Sequence, residues 1–346
     1  MSFQEDLKQK LKNYIRERDF MHAAGITRRA KLEFLAQGEY NINYLIKDEE
    51  EKYVLRVNLG SQMHLDDQIG YEFSALQALA PSGVTPRPFY LDNSQEKIDY
   101  GLLMMEYLPG RSLDYQKDLK TAAKIFAKIH KLDSSKAERL VQEKKPLTAI
   151  WNECEALLEH YFNSELAVSE IKKFLMKMKA EMYKKKEKES ELMDLFPPAI
   201  VNTEVNSNNF IIDDKFNLAY LVDWEKPLIT TPLQDLSHFM VPTTTLWKTN
   251  FIFNQGEEEE FLHHYLKARG MDSQYHEVKS ALELFNEFSA MRGISWSAMA
   301  WVEYQNTERE IKNQDTFETM DSYLKIDFLE MLFSRSINPK YIFFFI

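Results

Sequence analysis

The sequence is poor in the residues that interrupt regular structure. Of its 346 residues, only 10 are glycine and 11 are proline, together about half their usual share. Because these two residues form most tight turns and break helices, their scarcity favours long helices. A single cysteine, Cys154, excludes an intramolecular disulfide and is typical of a reducing compartment, so we expect a cytoplasmic protein.

Signals for membranes and nucleic acids are also lacking. No apolar run reaches the roughly 20 residues that span a bilayer. The nearest candidate is the C-terminal run Tyr-Ile-Phe-Phe-Phe-Ile at 341–346, which we expect to pack on the protein. Acidic residues outnumber basic ones by 54 to 43, and the net charge of −11 repels phosphate backbones. We therefore predict neither a membrane nor a nucleic-acid partner, and the oligomeric state stays open.

Common short catalytic motifs are missing as well. The chain contains no GxxxxGK[ST], GxSxG, HExxH or CxxC sequence. His263 and His264 are adjacent, and neighbouring side chains on a helix point in different directions, so we do not expect them to share a metal.

What is present begins with a mixture of helical and strand patterns in residues 1–106. Three-to-four spacing of apolar residues indicates helices, whereas period-two alternation of β-branched and aromatic residues indicates strands. We predict a leading helix within residues 1–30, a hairpin around the turn 47–52, a helix over 64–80, and strands near 89–91 and 101–105.

The remaining residues, 107–346, are predominantly helical in pattern. Pro109 and Gly110 follow a buried-looking strand, and we place the domain boundary between residues 106 and 107. One exception interrupts the helices: three short apolar runs, of which the last two are joined by a polar turn, predict a strand followed by a hairpin. These runs are 199–201, 210–212 and 218–222.

The polar loop of this exception carries the candidate chemistry. Glu204 follows the first strand, Asn209 enters the hairpin five residues later, and Asp223 leaves it fourteen residues further on. In a kinase catalytic loop with this spacing, a carboxylate orients the substrate hydroxyl while an Asn and an Asp hold Mg²⁺. Phosphoryl transfer needs such hard oxygen ligands beside a proton acceptor. We therefore predict all three as catalytic residues, with Asn209 and Asp223 as the metal ligands.

In their order along the chain, these motifs resemble those of the aminoglycoside phosphotransferase and choline kinase family. The resemblance covers residues 30–240 and implies an α+β, bilobal protein-kinase-like fold with a small antiparallel-sheet N lobe and a larger helical C lobe. It also implies ATP or GTP and Mg²⁺ as cofactors. The motifs that carry it are Tyr-Val-Leu-Arg-Val at 53–57, Tyr-Glu-Phe at 71–73, Leu-Met-Met-Glu-Tyr-Leu-Pro-Gly at 103–110, Ala-Lys-Ile-His at 127–130, Val-Asp-Trp-Glu at 222–225 and Pro-Leu-Gln-Asp-Leu at 232–236.

The resemblance further implies roles for single residues outside the catalytic loop. A basic strand residue would contact the nucleotide phosphates and pair with a helix glutamate, backbone groups of the hinge would hold the adenine edge, and a downstream Asp would brace the loop. These are Arg56 with Glu72, Glu106 and Leu108, and Asp235. Gly38 and Asn41 lie in the turn expected over the nucleotide, although its single glycine leaves a plain hairpin as an equal alternative.

The chain departs from the family at the start of the catalytic loop. Asn202, Thr203 and Glu204 stand where the family has His-Gly-Asp. Glu204 can still accept a proton, but its extra methylene moves the carboxylate by about an ångström, a displacement that can cost about a hundredfold in rate. Asn202 cannot ionise, so it can replace the histidine only by hydrogen bonding.

Two functions therefore remain open. The first is an ATP-dependent small-molecule phosphotransferase acting on a hydroxyl of an aminoglycoside, a choline-like alcohol or a sugar. Its acceptor would lie between the catalytic loop and the helices around residues 292–304, where Trp296 beside Glu225 and Glu303 would suit an amine. Core packing is the more common role of such a Trp. The alternative is a catalytically impaired kinase-fold protein that binds nucleotide or acts structurally, as spore-coat-like members do.

Overall fold

The computed structural model describes residues 3–305 and 314–334. The predicted packing of the 341–346 run therefore lies outside the described residues. The helices in the described ranges are α1 (Phe3–Tyr14), α2 (Arg18–Ala24), α3 (Gln68–Leu79), α4 (Leu119–Ile129), α5 (Pro146–Asn163), α6 (Ser169–Lys185), α7 (Glu189–Met193), α8 (Leu233–Met240), α9 (Pro242–Lys248), α10 (Gln255–Arg269), α11 (Tyr275–Gln305), α12 (Gln314–Tyr323) and α13 (Ile326–Leu332). The strands are β1 (Lys31–Gln37), β2 (Asn41–Asp48), β3 (Glu51–Asn58), β4 (Pro88–Asp92), β5 (Gly101–Glu106), β6 (Arg111–Ser112), β7 (Ala199–Val201), β8 (Phe210–Asp213), β9 (Leu218–Leu221) and β10 (Leu228–Thr230).

The N-terminal part of the chain forms an antiparallel sheet of five strands in the order β1-β2-β3-β5-β4. The predicted hairpin is β2 with β3, in which Tyr44 lies opposite Leu55. The predicted leading helix is two helices, because the chain turns between α1 and α2, and α2 then ends at Gly25 in the left-handed region with φ +69°. The antiparallel N lobe expected from the sequence is confirmed.

The two faces of this sheet have different partners. Leu55 and Val57 of β3 are fully buried in a core that α1 and α2 complete on one face. Because side chains alternate along a strand, Arg56 between them points to the other face, toward α3 and the C-terminal part. Leu103 and Met105 of β5 join the large core on that second face. The alternation therefore directs one charged residue of β3 into the space between the lobes.

The C-terminal part is helical around two small pieces of sheet. The long helix α11 packs along α5 and α8, and α4 packs against α10. The predicted hairpin is β8 with β9, extended on one side by β6, and the predicted strand β7 pairs with β10. At two and three residues, β6 and β10 are too short to show a period in sequence. The larger helical C lobe is thus confirmed.

Gly110 fixes the connection between the lobes. It follows β5 with φ +156°, and a Cβ built on it would lie 2.6 Å from the carbonyl oxygen of Ile212. Only glycine permits this close approach of the hinge to β8. Within the described residues, none of the helices has the length and apolar character needed to cross a bilayer.

Candidate active site

A buried cluster of charges joins the two lobes at Arg56. Its Nη1 lies 2.6 Å from Oε1 of Glu72 on α3 and 3.0 Å from Oδ1 of Asp223, which follows β9. Glu72 is almost completely buried, and the side chain of Arg56 is only 7% exposed. Burial by itself lowers the pKa of Arg56, but the charges of Glu72, Asp223 and Glu225 more than offset this and raise it. The predicted Arg56 and Glu72 are thus in contact and directed at Asp223.

Asn209 and Asp223 supply oxygen atoms suited to a hard cation. The side-chain Nδ2 of Asn209 donates to the carbonyl oxygen of Glu204 at 2.6 Å, so its Oδ1 is the atom left for a ligand. Within the described residues, no cluster of three or more His, Cys, Asp or Glu side chains could hold a metal alone. Mg²⁺ is usually held by one or two carboxylates together with substrate phosphates and water. The donor set therefore fits Mg²⁺ shared with a nucleotide.

Glu225 faces the turn between β1 and β2. Its carboxylate accepts a hydrogen bond from Nδ2 of Asn41, whose own Oδ1 accepts one from Asn58 at 3.1 Å. Its backbone oxygen accepts one from Gln68 at 2.6 Å. Burial, followed by the neighbouring charge of Asp223, raises the pKa of Glu225 to about 7. The structure thus places Glu225 beside the predicted nucleotide turn.

The turn itself is closed by a hydrogen bond from the backbone N–H of Gly38 to the carbonyl oxygen of Asn41, at 2.9 Å. A Cβ on Gly38 would meet only that oxygen, at 3.8 Å, so there is room for a side chain. Nucleotide cover and plain hairpin therefore both remain compatible with this turn.

The hinge offers backbone groups to a base. The N–H of Glu106 donates to the carbonyl oxygen of Arg87 at 2.9 Å, and its side chain pairs with the guanidinium of Arg87. By contrast, the N–H of Leu108 has no hydrogen-bond acceptor in the part of the chain that the structure describes. An unpaired backbone donor at a hinge is the feature that an adenine edge would satisfy.

Asp235 holds the start of the catalytic loop. The fully buried carboxylate accepts hydrogen bonds from the backbone N–H groups of Asn202 and Thr203, both at 2.9 Å. His130 of the predicted α4 motif approaches the same carboxylate at 3.3 Å, and its burial lowers the pKa of the imidazole despite this contact. These contacts are the ones a bracing residue would make, and the role of Asp235 stays a prediction.

The side chain of Asn202 links the backbone of Glu204 to the backbone of Asp223. Its Oδ1 accepts from the backbone N–H of Glu204 at 3.1 Å, and its Nδ2 donates to the backbone oxygen of Asp223 at 2.9 Å. An amide can do both at once because it carries a donor and an acceptor. The neutral residue therefore connects the loop after β7 to the segment after β9, the two places where the catalytic acid and a metal ligand are predicted.

Lys226 is a site residue that the sequence analysis missed. Its Nζ contacts Oε1 of Glu204 and donates to Oε1 of Gln62 at 2.7 Å, while its backbone oxygen accepts from Oγ1 of Thr203 at 2.9 Å. Thr203 has φ +72°, a conformation that costs a non-glycine residue about 1–2 kcal/mol. Two of the three residues that depart from the family pattern, Thr203 and Glu204, thus contact Lys226. A lysine three residues after Asp223 is the only sequence signal of this contact.

A cavity of about 280 Å³ opens beside Glu204 between the catalytic loop and α11. Trp296 lines it, with Trp247 edge-on at 5.4 Å, whereas neither Glu225 nor the exposed Glu303 is among its lining residues. The amine-bearing acceptor therefore stays a prediction without the carboxylates on which it was based. The other lining residues are Gln62, Glu153, Asn206, Lys226, His238, Thr243, Thr244, Ser289, Arg292, Gly293, Ser297 and Tyr323. A larger cavity, of about 920 Å³, contains none of the predicted site residues.

Known proteins give a consistent answer about the fold. An ethanolamine kinase from Plasmodium vivax superposes with a TM-score of 0.63 at 13% identity, over 97% of both chains. The spectinomycin phosphotransferase APH(9)-Ia, solved with ADP and spectinomycin, gives 0.58 at 12%, over 95% of this chain and 98% of its own. A microcompartment-associated aminopropanol kinase gives 0.55 at 16%, over 92% and 95%.

At such identities these structures establish the fold alone. A comparison with curated proteins found no match. The model of the phosphotransferase enzyme family, in contrast, matches residues 31–280, which is most of the chain and includes every predicted site residue except Trp296 and Glu303. The chain therefore belongs to the phosphotransferase enzyme family.

Proposed function

We propose that this protein is a small-molecule kinase that transfers the γ-phosphoryl group of ATP or GTP to a hydroxyl group. The observation that carries the proposal is the convergence of the Arg56–Glu72 pair with Asp223, Asn209 and Glu204 at the junction of the lobes. Arg56, held by Glu72, supplies a phosphate-binding cation. Asn209 and Asp223 supply two metal ligands, and Glu204 supplies a proton acceptor. The solved kinases of the same fold, including one with bound ADP, support the nucleotide.

In this proposal the protein's own residues bind the nucleotide, orient the acceptor hydroxyl and take up its proton. Arg56 contacts the nucleotide phosphates, and the hinge reads the purine through backbone groups, which suits ATP and GTP alike. Asn209 and Asp223 would hold Mg²⁺, which neutralises phosphate charge when it is bound. Glu204 accepts the proton of the acceptor hydroxyl as that oxygen bonds to the γ-phosphorus and the bond to the nucleoside diphosphate breaks.

Lys226 explains how a carboxylate one methylene longer can serve. Because its ammonium contacts Glu204 from a position that is itself only 9% exposed, it limits where that carboxylate can lie. We expect Lys226→Met to lower kcat about a hundredfold, the usual effect of a displacement of about an ångström, without changing the nucleotide Kd. The measurement is the rate of ADP release at saturating nucleotide. Lys226→Arg should recover part of the rate, and equal rates in all three proteins would contradict the role.

The same contact also favours the alternative function. An ammonium on the carboxylate of Glu204 competes with an acceptor hydroxyl for the same oxygens. A protein that kept the nucleotide site but used it structurally would bind Mg²⁺ and nucleotide without turnover.

The test is a calorimetric titration of the purified protein with ATP and with GTP, in the presence and absence of Mg²⁺. Release of ADP or GDP is then followed with a set of hydroxyl compounds. Mg²⁺-dependent binding with acceptor-dependent release supports the kinase. Binding without release from any acceptor favours the alternative function. No binding at millimolar nucleotide contradicts the kinase and leaves only a structural role that does not use nucleotide.

A further inference from the structure

Arg292 presents unused hydrogen-bond donors to the cavity beside Glu204. Its Nε donates to Oε2 of Glu153 on α5 at 2.8 Å, and no residue in the ranges 3–305 and 314–334 accepts from either Nη. The side chain is only 22% exposed and lines the cavity, so these donors open onto the cavity. The planar pair of Nη groups matches the two oxygens of a carboxylate or phosphate.

The carboxylates of the cavity are already paired. Glu204 contacts Lys226, and Glu153 contacts Arg292, so each acid of the lining has a cation beside it. An ammonium group on the acceptor would therefore meet two cations and no unpaired acid. For His238, in the same lining, burial, and then the charges of Arg292 and Lys226, lower the pKa to about 3. The cavity thus offers an added cation no unpaired acid, whereas an added anion still meets the free Nη donors of Arg292.

Size and shape limit the acceptor further. The volume of about 280 Å³ lies just below the usual range of ligand sites, about 300–1,000 Å³, so a molecule of a few carbons fits better than several rings. Trp296 lies one helical turn after Arg292 on α11 and offers an apolar surface next to the guanidinium. Glu204 lines the same space, so one small molecule can reach both ends.

We infer that the acceptor is a small hydroxyl compound that carries an oxyanion, either a carboxylate or a phosphate. Arg292 binds the oxyanion, and the hydroxyl lies toward Glu204. The transfer step rests on the proposed function, whereas the binding of the anion does not.

Four compounds with the same three-carbon skeleton test this charge preference: glycerol, glycerate, glycerol 3-phosphate and 3-amino-1,2-propanediol. Binding is measured without nucleotide, by calorimetry and by the fluorescence of the tryptophans beside the cavity. We expect one of the anions to bind at least about tenfold more tightly than glycerol, as a charge-assisted hydrogen bond provides, and the amine to bind most weakly. Tighter binding of glycerate would identify the oxyanion as a carboxylate, and tighter binding of glycerol 3-phosphate would identify it as a phosphate. Tightest binding of the amine, or equal binding of all four, would overturn the inference.

Arg292→Lys keeps a positive charge but removes the paired Nη donors. We expect it to weaken binding of the preferred anion about tenfold and to leave glycerol binding unchanged. Arg139→Lys, at a surface arginine that pairs with Asp67, is the matched control and should change neither. If Arg292→Lys weakens the binding of the anion and of glycerol by the same factor, Arg292 has a structural role and the inference is overturned.

The two proposals fail separately in these experiments. If the protein binds Mg²⁺ and nucleotide and phosphorylates only a neutral or amine acceptor, the kinase stands and the oxyanion is rejected. If an anion binds through Arg292 but no nucleotide binds, the anion site stands and the kinase is rejected.

Discussion

Glu204→Gln is expected to lower kcat about a thousandfold and to leave the nucleotide Kd unchanged. The amide cannot take up the proton of the acceptor hydroxyl, and loss of a general base typically costs 10²–10⁴-fold. Glutamine has the length of glutamate, and its amide oxygen can still accept from Lys226, so the catalytic loop keeps its shape. The measurement pairs the rate of ADP release at saturating nucleotide and acceptor with a calorimetric titration of nucleotide.

Two further variants make this result specific. Glu204→Asp restores the family's carboxylate but withdraws it from Lys226, and we expect a loss of about a hundredfold, smaller than that of the amide. Glu181→Gln removes the same charge from the exposed surface of α6, where Glu181 pairs with Lys184, and should change neither quantity. A Glu204→Gln protein with the wild-type kcat would exclude Glu204 as the base.

The fold was predictable where its elements carry strong local patterns. The hairpin of β2 and β3 shows period two, and the polar loop of residues 213–217 separates two apolar runs, so both hairpins are visible in sequence. The leading helix was predicted as one because apolar residues continue at helical spacing through Ile15 and Phe20, across the break between α1 and α2. Spacing alone does not mark a break when no glycine or proline stands there.

The candidate site was predictable in its spacing and not in its contacts. The separations between Glu204, Asn209 and Asp223 depend on a hairpin that the sequence shows. Asn209 donates to the backbone oxygen of Glu204, and its own backbone oxygen accepts from the residue before Asp223 at 2.8 Å. Lys226 and Arg292 belong to the same cavity because α11 returns to the catalytic loop, a long-range arrangement without a local pattern. Charge pairing therefore became visible only in three dimensions, and with it the basis for proposing an anion instead of the amine predicted from Trp296 beside Glu225 and Glu303.

The contacts of Thr203 account for a threonine where the family has glycine. A threonine at φ +72° would be unfavourable alone, but Oγ1 of Thr203 donates to the backbone of Lys226, whose ammonium contacts Glu204. A hydrogen bond contributes about 1 kcal/mol, similar to the cost of that conformation. In the altered loop, the hydrogen bond of Thr203 thus offsets the cost of its conformation, and Lys226 contacts the carboxylate of the longer Glu204.

Asp223→Asn is expected to remove the Mg²⁺-dependent part of nucleotide binding. Loss of residues that only support metal ligands typically costs 10–100-fold in metal affinity, so loss of the ligand's charge should weaken nucleotide binding in Mg²⁺ by more than about a hundredfold. Asparagine suits this position because Asp223 has φ +64°, which Asn tolerates better than Ala. Arg56 keeps Glu72 as a carboxylate partner at 2.6 Å, so the buried guanidinium is not left uncompensated.

The decisive comparison is between titrations of ATP in Mg²⁺ and in a chelator. In the wild-type protein the two Kd values should differ widely, and in Asp223→Asn they should converge. Without Mg²⁺ the variant should bind ATP at least as well as the wild type, because one negative charge fewer faces the phosphates beside Arg56. Asp213→Asn makes the same change of charge at the far end of the β8–β9 hairpin and should retain the full Mg²⁺ dependence. If Asp223→Asn retains it too, Asp223 is not the metal ligand, and the assignment of this loop to phosphoryl transfer fails with it.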